Sequence, residues 1–209
     1  MKARHSKADV LYEEIMQALQ TGRYVPGERI DPGTLADEFH TSPTPVRLAL
    51  SRLVGEGVIH DCRREGFHVP LPTEMVLRDL YDWMQRLLIL ACSIGVAPTH
   101  DDAVQDQLLD DDGDTVAQTR QLFEGIARAT EHLSLYGAVR QANDKLGPIR
   151  RAKPGLIKNA HEELAELHQH WQRRELKALR SALADYHERR KQAVPRIVAM
   201  LSGAVPYTR

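Results

Sequence analysis

Apolar residues recur at helical spacing from the start of the chain. Over residues 8–21, ADVLYEEIMQALQT, the positions Val10, Leu11, Ile15, Ala18 and Leu19 predict one buried helical face. Gly22 ends that helix, because the position after a helix C-cap favours glycine. A loop with a Pro26-Gly27 turn follows and leaves through Ile30. Asp31-Pro32 then reads as an N-cap with proline at the first helical position, opening a short helix through Leu35, Ala36 and Phe39. After a break at His40-Thr41, Ser42-Pro43 repeats the same signal. The helix it opens, 43–56, places Val46, Ala49, Leu50 and Leu53 on one face. Gly55 and Gly57 close it. Val58 and Ile59, a charged turn from Arg63 to Gly66, and then Phe67 and Val69 predict a hairpin.

Pro70 and Pro72 stiffen the exit and mark a boundary. Everything beyond Thr73 has the 3.6-residue period. Residues 74–94 carry a broad stripe of Val76, Leu77, Leu80, Trp83, Leu87, Leu90 and Ala91 that stops at Gly95. An acidic loop spans 96–114. Further helices are predicted at about 116–130, 133–150, 156–172 and 174–202, the last with an interruption near Pro195. The expected fold is therefore mostly α. Residues 1–70 form a winged helix-turn-helix of helices and a small hairpin, 71–73 a linker, and 74–209 an all-α bundle.

Composition adjusts this picture at the margins. The chain has 209 residues, 42% hydrophobic and 27% charged, so it can bury a core without staples. The two cysteines, Cys62 and Cys92, lie far apart and lack metal spacing, which fits a reduced, cytoplasmic setting. No apolar run approaches membrane-spanning length, and MKARHSKADV lacks the apolar segment of a secretory signal. The net charge of −1 excludes DNA binding by overall field. Residues 1–70 hold 9 basic and 10 acidic side chains, so any DNA contact must come from a local patch.

The helix 43–56 supplies such a patch. An α-helix fits the major groove of B-DNA, and the preceding helix braces it. With the apolar face packed inward, Thr44, Arg47, Leu48, Ser51 and Arg52 point outward. Arginine can grip guanine O6 and N7 with two hydrogen bonds. Ser42 and the helix N-terminus suit a phosphate. Arg63 and Arg64 stand at the wing turn, within reach of a minor groove or the backbone. Singly, each of these arginines reads as an ordinary surface residue; their joint position on two DNA-facing elements carries the reading.

From Leu11 to Val69 the sequence resembles the winged helix-turn-helix of the GntR family of bacterial transcription regulators. The residues that carry the likeness are Pro26-Gly27-Glu28-Arg29-Ile30, Leu35-Ala36 and SPTPVRLALSRLVGEGVI from Ser42 to Ile59, with Gly66 and Val69 matching the wing. The resemblance implies a homodimer on double-stranded DNA that reads two half-sites of a short palindrome. It assigns Arg47 to the DNA-contacting arginine of the motif, and Ser42 and Thr44 to polar contacts. Pro43 stands where many members carry arginine, and Leu48 where glutamate is common.

The helical region resembles, by pattern, the ligand-binding (FCD) domain of the FadR subfamily, in residues 74–94, 119–135 and 161–187. That likeness implies a dimerising bundle with a small-molecule effector, often a carboxylate. Many members also hold a metal through one aspartate and three histidines. Here Thr119 and Phe123, or in a one-residue shift Arg120 and Glu124, occupy the first pair, and Leu164 and Tyr186 the later positions, so no metal cofactor is expected. His161, His168, His170 and His187 lie nearby, and Glu166 with His170 is one turn apart; these read as solvated side chains. The acidic run at 110–114 fails as a calcium loop, because Leu108 and Thr119 would stand at ligand positions. Arg86, Arg128, Arg140, Tyr136, Asn143 and Tyr186, with Trp83, are the inward candidates for effector contacts.

The expectation is a non-enzymatic regulator, a repressor released or modulated by a metabolite. A constitutive DNA-binding dimer with a vestigial helical domain is the alternative. An enzyme is disfavoured, because no nucleophile with a base, phosphate loop or ligand cluster is visible.

Overall fold

The computed structural model describes residues 6–63, 65–97, 113–152 and 155–204. The elements run α1 (Lys7–Gln20), β1 (Arg29–Ile30), α2 (Pro32–Glu38), α3 (Pro43–Gly55), β2 (His60–Cys62) and β3 (Gly66–His68). There follow α4 (Glu74–Ile94), α5 (Thr115–Arg128), α6 (Leu133–Arg151), α7 (Ala160–Gln172) and α8 (Leu176–Ala204). Packing divides the chain into two units. Among the described residues, the first holds those up to 72 together with 144–152 and 199–204; the second holds 73–97, 113–143 and 155–198. The ends of α6 and α8 thus group with the first unit, whereas the linker at 71–73 suggested a simple division.

Local chemistry starts each helix of the first unit. Ser6 and Asp9 form a reciprocal capping box on α1. The Asp31 carboxylate accepts the Thr34 N–H at 2.9 Å, and Pro32 opens α2. That backbone donor holds the Asp31 carboxyl below its ordinary value. At the end of α1, Gly22 adopts φ +82°, and the Arg23 N–H reaches the Ala18 carbonyl at 3.0 Å. A Cβ on Gly22 would come within 2.3 Å of the Arg151 Cγ, whose guanidinium Nε donates to the Gln20 carbonyl at 3.1 Å. Leu11, Ile15 and Leu19 from α1 meet Leu35, Val46, Leu50, Leu53, Ile59 and Phe67 in one apolar core. The sheet order is β1-β3-β2, all antiparallel, with β3 central. Two-residue β1 is too short for alternation to reveal, so the sequence shows only the hairpin.

In the second unit the buried face of α4 is Leu77, Tyr81, Met84, Leu87, Leu88, Ala91 and Cys92. Val76, Trp83 and Leu90, expected in the same stripe, are about half exposed. They repeat every seven residues on the opposite side, a spacing that cannot by itself separate a core from a second apolar face. The interruption expected at Pro195 does not occur, and α8 continues through it. Proline lacks the N–H that would have reached the Lys191 carbonyl. Arg78 supplies a donor instead, with Nη1 at 2.7 Å from that oxygen.

Candidate nucleic-acid interface

Burial of Val46, Ala49, Leu50 and Leu53 fixes which sides of α3 remain outside. Thr44, Arg47, Leu48 and Ser51 are all exposed along one helical face. Leu48, 60% exposed, places an apolar tip among polar neighbours, where a thymine methyl would fit. Arg47 makes no ion pair with the described residues, so its fork remains available. Ser42 is exposed at the N-cap and makes no side-chain capping bond. Pro43 and Pro45 remove two amide donors from the first turn, so backbone donation there falls to Thr44 and Val46.

The turn before α3 adds residues that the sequence pattern did not single out. His40 adopts φ +48°, and the Thr41 N–H closes on the Ala36 carbonyl at 2.9 Å. A groove beside this turn is lined by Lys7, Asp37, His40, Thr41, Ser42 and Pro45. It brings an ammonium, an imidazole, hydroxyls and the Asp37 carboxylate together at the start of α3. Lys7 precedes the apolar pattern of α1, so only the folded chain connects it to Ser42.

Arg52 takes a different part from the one its exposure suggested. It lies five residues beyond Arg47, about 140° around the helix. Its Nε is 3.1 Å from the Glu56 carboxylate and its Nη1 3.6 Å from that of Asp9. The guanidinium also covers the Tyr12 ring at 3.7 Å. The Tyr12 hydroxyl donates to Glu56 at 2.6 Å. Burial, then this bond to a carboxylate, push the phenol well above its ordinary value. Arg52 therefore braces α3 on α1.

The wing presents Arg63 exposed at its turn, closed by the Glu65 N–H on the Cys62 carbonyl at 2.9 Å. Gly66 follows at φ +83°, the left-handed position that such a hairpin requires. Arg64 lies outside the described residues.

The candidate effector residues separate. Asn143 and Tyr186 are buried, and the Asn143 amide donates to the Arg120 carbonyl at 3.3 Å. Trp83, Arg86, Arg128 and Arg140 are exposed instead of inward, because α4 turns Leu87 and Leu88 to the core and α6 turns Val139 and Ala142. Arg86 is tied to Asp82 at 2.6 Å, and Arg128 to the half-buried Tyr136 at 2.9 Å. Phe123 packs edge-on to Tyr186 at 5.5 Å and stacks on the buried His187 at 5.7 Å. Also buried are Thr119 and Arg190, whose Nη1 is 2.6 Å from Glu163. His187 and Arg190 were missed as inward residues; they follow Tyr186 at one and four positions on the same helix. His170 pairs with Glu175 at 2.7 Å, with Glu166 at 3.9 Å. Of the acidic run, 110–112 lie outside the described residues, while Asp114 caps α5 by accepting from the Val116 and Ala117 amides.

Residues 7–69 match the model of the family described as "Bacterial regulatory proteins, gntR family". The chain carries a GntR-family DNA-binding domain. Residues 7–69 are thereby a DNA-binding domain of the kind that transcription regulators carry. Within this domain Pro45, Val46 and Arg47 lie near the start of α3. No curated protein matches the sequence.

Solved structures extend the fold likeness beyond this domain. A putative GntR transcriptional regulator from Rhodococcus sp. RHA1 aligns with a TM-score of 0.75 at 14% identity, covering 96% of this chain and 100% of that one. E. coli McbR/YncC aligns at 0.69 and 18% identity, over 92% and 98%. A GntR-family regulator from Pseudomonas syringae pv. tomato str. DC3000 aligns at 0.51 and 18%, over 98% and 92%. These likenesses establish a shared fold across both units. Among the described residues no helix is long and apolar enough to cross a membrane.

Proposed function

We propose that the protein is a cytoplasmic, homodimeric repressor that reads a short palindrome and responds to a small-molecule effector. The observation that carries the DNA-reading part is the face of α3 with Thr44, Arg47, Leu48 and Ser51, beside Arg63 on the wing. In this reading Arg47 grips a guanine, Leu48 meets a thymine methyl, and Ser42, Lys7 and Arg63 position the domain on phosphates. Two such domains reach half-sites about one helical turn apart.

The dimer reading is supported by the apolar outer side of α4, where Met75, Val76, Trp83, Leu90 and Ile94 are exposed. The effector reading is supported by the polar residues Thr119, Asn143, His187 and Arg190, buried together with Phe123 and Tyr186 in the helical unit. In the FadR-like reading, the buried Phe123, Leu164 and Tyr186 stand at positions where many members carry metal ligands. Coupling of about 1–3 kcal/mol between effector and DNA would weaken operator binding about 5–150-fold.

The test is titration of a selected duplex with wild type, Arg47→Ala and Arg52→Ala. Arg47→Ala should lose about 1–3 kcal/mol of discrimination at one base position. Arg52→Ala should lower stability while leaving base preference intact. Equal base preference for Arg47→Ala and wild type contradicts the reading. A constitutive dimer would bind the same duplex without response to any metabolite.

A further inference from the structure

We infer that the wing carries a binding site for a thiophilic divalent cation of the zinc class, built from Cys62, Glu65 and His68. The ligand atoms of these three side chains lie within 4.8 Å of one another. The register explains the gathering. His60 pairs with His68 and Cys62 with Gly66, so these positions share one face of the hairpin. Phe67, between them, points into the core. Gly66 has no side chain, which leaves the space opposite the Cys62 thiol open. His68, two residues along β3, and Glu65, at the turn, reach that space.

The donor chemistry suits a zinc-class ion. Thiolate, imidazole and carboxylate are three of its standard ligands, at about 2.0–2.3 Å from the metal. In a tetrahedron these lengths put the donor atoms about 3.3–3.6 Å apart. Closing from 4.8 Å asks only rotamer adjustment of exposed Cys62 and Glu65 and half-buried His68. The His68 Nδ1 is 3.1 Å from the Gly66 carbonyl. A carbonyl only accepts, so Nδ1 carries the hydrogen and Nε2 of the neutral ring keeps a lone pair. A backbone carbonyl holding the non-ligating nitrogen is the usual second contact of a metal-binding histidine.

Charge also balances. Thiolate and carboxylate together neutralise a dication. Arg29 pairs with His68 across the sheet and adds a nearby positive charge, itself 3.6 Å from Asp31. That neighbour disfavours hard cations held only by charge, and leaves the advantage to ions that gain from a metal–sulfur bond. The fourth position is left to water or to a further ligand. The ion would tie β2, the turn and β3 together beside Arg63, fixing the wing for DNA. This inference is independent of any effector in the helical unit.

The test is titration of the full-length reduced protein with Co²⁺, followed by Zn²⁺. One Co²⁺ per chain should bind with a thiolate-to-cobalt charge-transfer band that Zn²⁺ abolishes. The band should vanish in Cys62→Ser, persist in Cys92→Ser, and require at least about tenfold more Co²⁺ in His68→Ala and in Glu65→Gln. Circular dichroism melts confirm that each variant is folded; Cys62 and Glu65 are exposed, so their replacement leaves the core intact. Absence of the band in wild type overturns the proposal. So does a band that survives Cys62→Ser, or equal Co²⁺ affinity in His68→Ala and wild type.

Discussion

Residues 6–72 and the helical unit deploy their polar side chains in opposite ways. Among the described residues, 6–72 bury no charged or amide side chain, and their chemistry stands on α3, the turn before it and the wing. The helical unit buries Thr119, Asn143, His187 and Arg190 within its own interior. A surface-borne set suits a large, flat, charged partner. An internal set suits a molecule small enough to be enclosed, or a core that specifies its own packing through polar contacts. The difference agrees with the DNA-binding family match of residues 7–69 and sets an enclosed polar group apart in the second region.

Substitutions can break this comparison. The largest effect is expected from Phe123→Ala, which removes the ring between Tyr186 and His187. It should cost about 3–5 kcal/mol in chemical denaturation, against about 2–5 kcal/mol for Leu50→Ala beneath α3. A loss below 1 kcal/mol for Phe123→Ala would mean that the polar interior relaxes around the gap. Trp83→Asp comes next, on the outer side of α4. Sedimentation should show self-association weakened by about tenfold or more, near 1.4 kcal/mol. Unchanged association would remove α4 from the interface.

Alkaline pH separates the regions through two buried acids. Burial pushes the Cys92 thiol from near 9.0 up to about 11. The unfolded thiol then loses its proton first, so stability present below pH 9 is lost as pH rises toward 11. The contribution is about 2–3 kcal/mol. Tyr12, raised by burial and by Glu56, adds a loss that begins above its ordinary value of 10.0. Urea melts between pH 8 and 11 should become flatter in Cys92→Ala below pH 10, and in Tyr12→Phe only above it. A Cys92→Ala profile parallel to wild type would place that thiol in contact with solvent. A smaller effect belongs to Gly22→Ala. Its positive φ and the approach of Arg151 should cost about 1 kcal/mol or more, read as a lower melting temperature.

Much of the first region was legible in the sequence because short-range signals agree with the packing. Asp31-Pro32, Ser42-Pro43 and Gly22 each mark a helix end that the structure contains. Arg52 was not legible as a brace. Its exposure resembles that of Arg47, and only the arrival of Asp9, Tyr12 and Glu56 distinguishes them. Cys62, Glu65 and His68 escaped for a related reason. Cysteine spacing examines neighbours along the chain, whereas hairpin register brings these three together across a turn. In the helical unit the periodicity marked where helices lie but not which of two apolar sides is buried. Trp83 was therefore placed inward although it is half exposed, and His187 outward although it is buried. Lys7 joined the recognition turn only through tertiary packing.

The most direct test of the central claim is selection of bound sequences from random duplex DNA at near-physiological salt, run with wild type and Arg47→Ala in parallel. Wild type should enrich a short palindrome with half-sites about one turn apart, and the variant should lose preference at one position in each half. Enrichment of no sequence beyond general duplex binding, or the same palindrome at full strength in both, would contradict it.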